Sequence, residues 1–410
     1  MRTHPSIPSP LPARFHLWWA ASTLQSAGGS MLSFALIWLA TGHGPGAVAL
    51  VSMLSVLPPV VLMLLGGVLG DRHGPRRMLL VTMGAELLVL IALLAVSGGD
   101  PTVALLASAA VTTSTISAIS RPSATVYARL LISGDDQLPR ALARISGSLH
   151  AARILGVAAS GIALSFWSLT AVLAVNALLT AGCFVVLCAL RPQGPRSSSE
   201  TSAPADGIWS SLAIGIRSAH ALRIWPLLGA VALVCSAVLP VVAVVLPSWA
   251  RANGWDASQA SLLEAAWAAG TLTITLLISV TGTLARQNIA LIGGPALMTI
   301  ALATLSLPSG LLGAGAAILA SALLGVGTAV FTTHIAPTLL RLAPAGQMTR
   351  FQALMGIVQL APPALLNSPF AALSGSGQAS VALLLAAALA ASAALMIGVN
   401  TRAPVAPVPS

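Results

Sequence analysis

The chain has 410 residues, of which 57% are hydrophobic and only 7% charged, and its mean hydropathy is +0.93. A water-soluble chain carries about a quarter charged residues, so this composition excludes a soluble globular protein and selects the lipid bilayer as solvent. The formal charge of +10 is carried by arginine with no lysine; the arginines punctuate apolar runs and form no basic face, which argues against a nucleic-acid partner.

Apolar runs and their breaks predict twelve transmembrane helices, over residues 16–40, 46–69, 77–97, 101–125, 143–166, 168–190, 224–248, 257–280, 287–307, 309–333, 349–373 and 377–399. Strands of a membrane barrel would alternate apolar and polar residues, and these runs do not. The N-terminal stretch "MRTHPSIPSPLPAR" is polar and Pro-rich and lacks a cleavable-signal pattern, so the first run reads as a retained span.

The first span carries Gln25. Trp18, Trp19 and Trp38 fall near its ends and, with Trp249 and Trp255, read as interface anchors. The second span contains Pro58 and Pro59 and closes on "GGVLGDRHGPRR", Gly66 to Arg77. Here Gly66, Gly67 and Gly70 permit close helix approach, and Asp71 stands beside Arg72, Arg76 and Arg77. A carboxylate at that place can accept hydrogen bonds from an arginine or from a neighbouring helix N-terminus, an effect of about 0.3–2 kcal/mol.

Glu86 lies nine residues into the third span, ~13 Å from its start at 1.5 Å per residue. Low dielectric there favours the neutral acid, so Glu86 reads either as a proton-coupling site or as a hydrogen-bonded structural residue. Arg121 ends the fourth span and is a further candidate partner for Asp71. Arg153 in the fifth is costly to bury; it pairs with an acid, attracts an anionic substrate, or snorkels to the interface. Asn176 is the polar group of the sixth.

"RPQGPRSSSETSAPADG", Arg191 to Gly207, reads as a flexible linker dividing six spans from six. After it, Trp209, Leu212, Ile216 and Ala219 share one helical face, either an interfacial helix or an extension of the seventh span. Pro240 and Pro247 predict a bend in that span. Glu264 lies two turns into the eighth span, followed by Trp267, and is either a substrate or coupling group or a water-exposed residue at the outer mouth. His334 lies in the tenth span, and Gln359 and Asn367 in the eleventh. Such groups either line a cavity or tie helices together. Cys183, Cys188 and Cys235 sit inside apolar runs without disulfide or metal spacing.

With the N-terminus in the cytoplasm, every arginine but Arg153 and Arg251 falls in a cytoplasmic segment or span end, which predicts both termini inside. The halves also repeat weakly. "GVLGDR" at Gly67 is echoed by "GTLARQ" at Gly282, and "LPRALARISG" around Arg140 by "MTRFQALMG" around Arg350. The expected architecture is an all-α integral membrane protein of two pseudo-symmetric six-helix bundles. Its parts are a 1–15 tail, a 16–190 bundle, a 191–223 linker, a 224–399 bundle and a 400–410 tail.

The stretch from Gly67 to Leu79, "GVLGDRHGPRRML", resembles the loop between spans two and three of major facilitator superfamily (MFS) transporters. That pattern is Gly-x-Leu-small-Asp-Arg-x-Gly-basic-basic-x-x-Leu; here Pro75 intervenes and the basic pair is shifted to Arg76 and Arg77. Ser120 to Gly156 resembles the four–five connection of multidrug, macrolide and siderophore exporters. "ARILGVAASGI", Ala152 to Ile162, is similar to their antiporter segment, with Val157 in place of its proline and Ser160 in place of a glycine.

The resemblance implies a conformational gate at Gly67, Asp71, Arg72, Gly74, Arg76, Arg77 and Arg121, with Asp71 meeting the start of the eleventh span. Arg286 replaces the acid in the second-half echo, so the gate is expected to be asymmetric. Gln25 and His334 lie on spans that face the cavity in that superfamily, and span eight can line it; span three is usually peripheral. The expected function is proton-coupled efflux of small lipophilic compounds by a monomer in the plasma membrane. An importer of a nutrient or siderophore, or a non-transporting receptor, is the alternative. The chain has no phosphate-binding loop, so a proton gradient is the expected energy source, without metal or cofactor. No nucleophile–base pair predicts an enzyme.

Overall fold

The computed structural model describes residues 11–132, 137–190, 224–281, 287–308, 311–342 and 348–400. Among them there are helices and no strands. The first half contains α1 (Ala13–Thr41), α2 (Pro45–His73), α3 (Pro75–Val96), α4 (Val103–Leu130), α5 (Leu138–Phe166) and α6 (Leu169–Ala189). The second contains α7 (Trp225–Pro240), a π-helical turn (Val241–Val245), α8 (Leu246–Ala252), α9 (Ala257–Thr281), α10 (Gln287–Leu305), α11 (Ala314–Leu342), α12 (Met348–Gly375) and α13 (Ala379–Asn400). Helix is the form that satisfies every backbone group of a single segment inside lipid.

Each of the twelve expected spans has its helix, with α7, the π turn and α8 forming the seventh. Ten are long and apolar enough to cross a membrane. α1 and α12 are not among the ten; α1 is diluted by Ser22, Thr23, Gln25, Ser26 and Ser30. The linker and its expected interfacial helix lie outside the described residues, as do both ends of the chain.

Local chemistry explains the breaks. α2 runs on through Asp71 to His73, so the expected loop contracts to Gly74, whose φ of +83° suits glycine. Pro75 then starts α3 at a position that needs no N–H. Asp256 and Gln259 cap α9 reciprocally: Asp256 Oδ1 accepts from Gln259 N at 2.8 Å, and Asp256 N donates to Gln259 Oε1 at 3.3 Å. The Gln259 N–H, with the Ser258 hydroxyl that donates to Asp256 Oδ1 at 2.7 Å, holds the Asp256 carboxyl below its ordinary range. At the expected bend, Pro240 is followed directly by the π turn. Elsewhere proline leaves helices unbroken, as Pro58 and Pro59 do in α2.

The contacts divide the chain into two compact units. One comprises residues 1–39 and 54–200; the other comprises 40–53 and 201–410, so the tip of the α1–α2 hairpin groups with the second half. In the first unit, Phe15, Trp18, Leu79, Tyr127, Cys183 and Leu187 form a buried cluster. α5 approaches α1 so closely that a Cβ on Gly156 would overlap the Ala27 carbonyl. In the second unit, a Cβ on Gly325 of α11 would overlap the Trp267 carbonyl of α9, and one on Gly270 would overlap that of Ala322. Small residues permit this approach where lipid supplies no hydrophobic force between helices.

The tryptophans correct one expectation. Trp18, Trp38 and Trp249 are buried within the protein and are not turned outward as anchors. Trp18 meets Tyr127 edge-on at 5.9 Å, and Trp249 meets Trp255 at 5.2 Å. Trp19 donates to Ser148 Oγ at 3.0 Å, tying α1 to α5. Packing and hydrogen bonding inside the protein claim these rings, which interface preference alone does not reveal.

Candidate functional site

The first unit brings Gln25 and Glu86 together. Gln25 Nε2 on α1 lies 3.2 Å from each Glu86 carboxylate oxygen on α3. Both residues are half-buried. Among the described residues the hydrogen-bond partner of this carboxylate is thus an amide and not a cation. An amide N–H can serve the charged form, and it leaves room for the group to take up a proton. α6 supplies the adjoining wall. Met83 of α3 packs in one buried cluster with Cys183, and Asn176, Thr180 and Cys183 recur at helical spacing on α6 and are all buried. Asn176 sits against Gly28: a Cβ there would come within 2.5 Å of Asn176 Oδ1. The Asn176 amide and the Thr180 hydroxyl have no hydrogen-bond partner among the described residues. A polar stripe therefore runs from Glu86 along α6 inside an otherwise apolar bundle.

Arg121 lies on α4, and His150 and Arg153 lie one turn apart on α5. His150 and Arg153 are half-buried and Arg121 is exposed. Sequence reasoning singled out the two arginines and not His150, whose three-residue spacing from Arg153 puts those two on one face of α5.

The described part of the expected gate shows a different use for one arginine. Arg76 donates through Nε to the Leu190 carbonyl at 3.0 Å, and through Nη2 to those of Cys188 at 3.0 Å and Leu187 at 3.3 Å. It thereby closes the C-terminus of α6, where carbonyls lack helical partners. Tyr127 donates to the same Leu190 carbonyl at 3.2 Å. Arg72 and Arg77 are exposed, and Gly74 is the single residue between α2 and α3. The surroundings of Gly67 and the Asp71 side chain lie outside the described residues, as do Arg286 and the side chains at the start of α12.

In the second unit Glu264 is 8% exposed, which removes the water-exposed outer-mouth reading. One turn on, Trp267 Nε1 lies 3.4 Å from Thr328 Oγ1, so the ring is turned toward α11. Ser321 donates to the Leu263 carbonyl at 2.6 Å, and Thr271 to that of Gly325 at 3.2 Å. His334 is 1% exposed, and its Nδ1 lies 2.8 Å from the Val330 carbonyl of its own helix, which places a proton on that nitrogen. Glu264 and His334 belong to the second unit, and the Gln25–Glu86 pair to the first.

The profile of the Major Facilitator Superfamily matches residues 18–366. No curated protein matches by sequence. Solved structures match at the level of fold. A bacterial homologue of the iron transporter ferroportin, in an inward-facing state, superposes with a TM-score of 0.75 at 14% identity, covering 96% of this chain and 100% of the other. The POT family transporter PepTSo gives 0.70 at 12% identity, over 96% and 98% of the chains. The nucleoside transporter NupG gives 0.70 at 14% identity, over 94% and 99%. A profile match over most of the chain, on a helical fold shared with these transporters, establishes that the chain is a multi-pass membrane protein of the major facilitator superfamily.

Proposed function

We propose that this chain is a proton-coupled exporter of small lipophilic compounds, with Glu86 as the proton-binding carboxyl and Gln25 as the group that positions it. The observation that carries this reading is the Gln25–Glu86 contact, 3.2 Å to each oxygen, within a span. Keeping a carboxyl at such depth is costly and calls for a use. A partner that is an amide lets the carboxyl exchange its proton without stranding a buried cation. The resemblance of Ser120 to Gly156 to exporter sequences supports the outward direction. The transporter acts as a monomer in the plasma membrane with both termini in the cytoplasm, as the arginine distribution supports. It performs no covalent chemistry on its substrate.

In this reading Asp71, at the end of α2, is the carboxylate of the cytoplasmic gate, with Gly74 as hinge and Arg121 as a further partner. A contact of about 0.3–2 kcal/mol at a helix terminus is enough to bias two conformations without locking either. Glu264, beside Trp267, is the second-half candidate for contact with substrate.

The test is flux in proteoliposomes bearing an imposed pH gradient, read by an internal pH-sensitive dye while a panel of lipophilic compounds is offered. Substrate movement coupled to opposite proton movement is expected, and it is lost in Glu86→Gln while the protein remains folded. Flux with no proton movement, or coupling that survives Glu86→Gln, overturns the assignment. Asp71→Asn is expected to insert normally and to turn over slowly; normal turnover removes the gate role.

A further inference from the structure

Asn176 and Thr180 stand one turn apart on α6, and each is 0% exposed. Neither the Asn176 amide nor the Thr180 hydroxyl has a hydrogen-bond partner among the described residues. A buried polar group left without a partner is expensive, the more so where lipid surrounds the bundle. Two of them on one face call for a ligand.

Two independent registers put Thr180 level with the Gln25–Glu86 contact. Successive spans alternate in direction, so α1 and α3 run one way and α6 the other. Between α3 and α6, the Ser97 and Thr170 hydroxyls meet at 3.3 Å, and a Cβ on Gly84 would lie 3.7 Å from the Phe184 ring. Counted from either pair at 1.5 Å per residue, Glu86 and Thr180 come within about 3 Å of the same height. Glu86 also falls in the stripe that α3 buries through Leu79, Met83 and Leu90. Met83 shares a buried cluster with Cys183, one turn from Thr180. Between α1 and α6, Asn176 Oδ1 lies against Gly28. Gln25 is three residues from Gly28 and Thr180 four from Asn176, in the same direction across the membrane. Gln25 and Thr180 therefore agree in height to about 2 Å.

Three helices thus bring to one level a carboxylate, two carboxamides and a hydroxyl. Each carboxamide offers an oxygen by turning about its last bond. Such a set of oxygens suits a hard cation. One negative charge among neutral oxygens balances one positive charge, whereas a divalent ion would leave excess charge in a region of low dielectric. The full burial of Asn176 and Thr180 leaves no face for an organic substrate. We infer that Gln25, Glu86, Asn176 and Thr180 form a binding site for Na+. The ion supplies the countercharge that an amide cannot give Glu86, and it is the partner of the Asn176 and Thr180 oxygens. The site shares its carboxyl with the proton-coupled reading and rests on that reading for its role in transport, but equilibrium binding at a fixed pH tests it without flux.

The experiment melts the full chain, in a neutral detergent at one pH, in NaCl, KCl and choline chloride of equal ionic strength. Saturating Na+ is expected to raise the midpoint about 2–4 °C above choline, and K+ less. Glu86→Gln is expected to abolish this increment. Thr180→Val and Asn176→Leu are each expected to raise the half-saturating Na+ concentration about tenfold. Neither is expected to lower the midpoint in choline, because each removes a polar group without a protein partner. Thr180→Ser is expected to respond to Na+ as the parent does. Thr170→Val, which breaks the contacts of α6 with Ser97, is expected to lower the midpoint in every salt and to keep the Na+ increment. Equal parent midpoints in NaCl and choline chloride overturn the site and leave water as the partner of these groups. An increment that survives Glu86→Gln or Thr180→Val also overturns it, and a K+ effect as large as that of Na+ overturns the choice of ion. Should Asn176→Leu fail to fold, Thr180→Val against Thr180→Ser carries the same comparison. A chain that responds to Na+ through these residues yet shows no proton-coupled flux loses the coupling role of Glu86, not the site; coupled flux without a Na+ response loses the site, not the coupling role.

Discussion

Glu86 and Glu264 are the carboxylates of the predicted spans, one in each half, and their surroundings differ. Glu86 on α3 is half-buried, reached by the Gln25 amide of another helix and bordered by the polar stripe of α6. Glu264 on α9 is 8% exposed, beside a helix pair drawn tight at Gly270 and Gly325 and stitched by Ser321 and Thr271. The first unit thus sets its half-buried acid against an amide, while the second surrounds its acid with close packing. Proton exchange requires access and a neutral alternative partner, and close packing resists both. The asymmetry matches the sequence echo in which Arg286 stands where Asp71 stands in the first half.

The largest expected effect tests the packed side of this contrast. Gly325→Leu forces a side chain into the Trp267 backbone, where overpacking costs about 1–3 kcal/mol or more. Size-exclusion chromatography is expected to show loss of monodisperse protein. A variant that folds with parent-like melting would mean that α9 and α11 are not closely locked.

Exchange of the two acids tests the contrast in function. Glu86→Gln should slow pH-driven flux on the order of tenfold, or about 1.4 kcal/mol. Glu264→Gln should leave the proton-to-substrate ratio unaltered and change only substrate affinity. Equal loss of coupling in both would end the distinction between the halves.

The next effect sharpens how the first unit holds its shape. Arg76→Gln frees the carbonyls of Leu187 and Cys188 and leaves that of Leu190 to Tyr127, and should cost about 1–2 kcal/mol. It is measured as a lower midpoint of thermal unfolding, with Arg76→Lys intermediate. An unchanged midpoint would show that the α6 end does not depend on this arginine.

The smallest effect lies at the exposed start of α9 in the second unit. Asp256→Ala removes both bonds to the Asp256 carboxylate and should cost about 1 kcal/mol or less. Because folding lowers the Asp256 pKa, its contribution is present above the unfolded value of about 3.9 and is lost as pH falls through the folded value. The gap between parent and variant should therefore close in acid. A gap that persists there would assign the effect to something other than this cap.

Much of the architecture was legible because lipid simplifies the problem. A spanning segment must be apolar and helical, so each apolar run became a helix, most with ends within about five residues of expectation, the tenth running on to Leu342. Asp71 was legible as a motif, but the linear pattern did not show that helix α2 would continue through it and leave Gly74 as the break. Likewise Arg76 was placed in a gate on sequence grounds, whereas the fold turns it to the α6 carbonyls. Trp18 and Trp249 were misplaced at the interface because span-end position says nothing of which neighbour covers a ring.

By itself the sequence determined the class of protein, the number and order of its helices and the short list of polar groups that pay no regard to lipid. Composition and run length decide these, since a bilayer penalises every residue by its own chemistry. Only tertiary structure decided which polar groups meet: Gln25 lies 61 residues from Glu86 in the chain yet 3.2 Å away in space, and Arg76 reaches the Leu190 carbonyl 114 residues on. Such meetings depend on the rotation of each helix about its axis and on where small residues let two backbones approach. Those are properties of pairs of helices, and no single apolar run contains them.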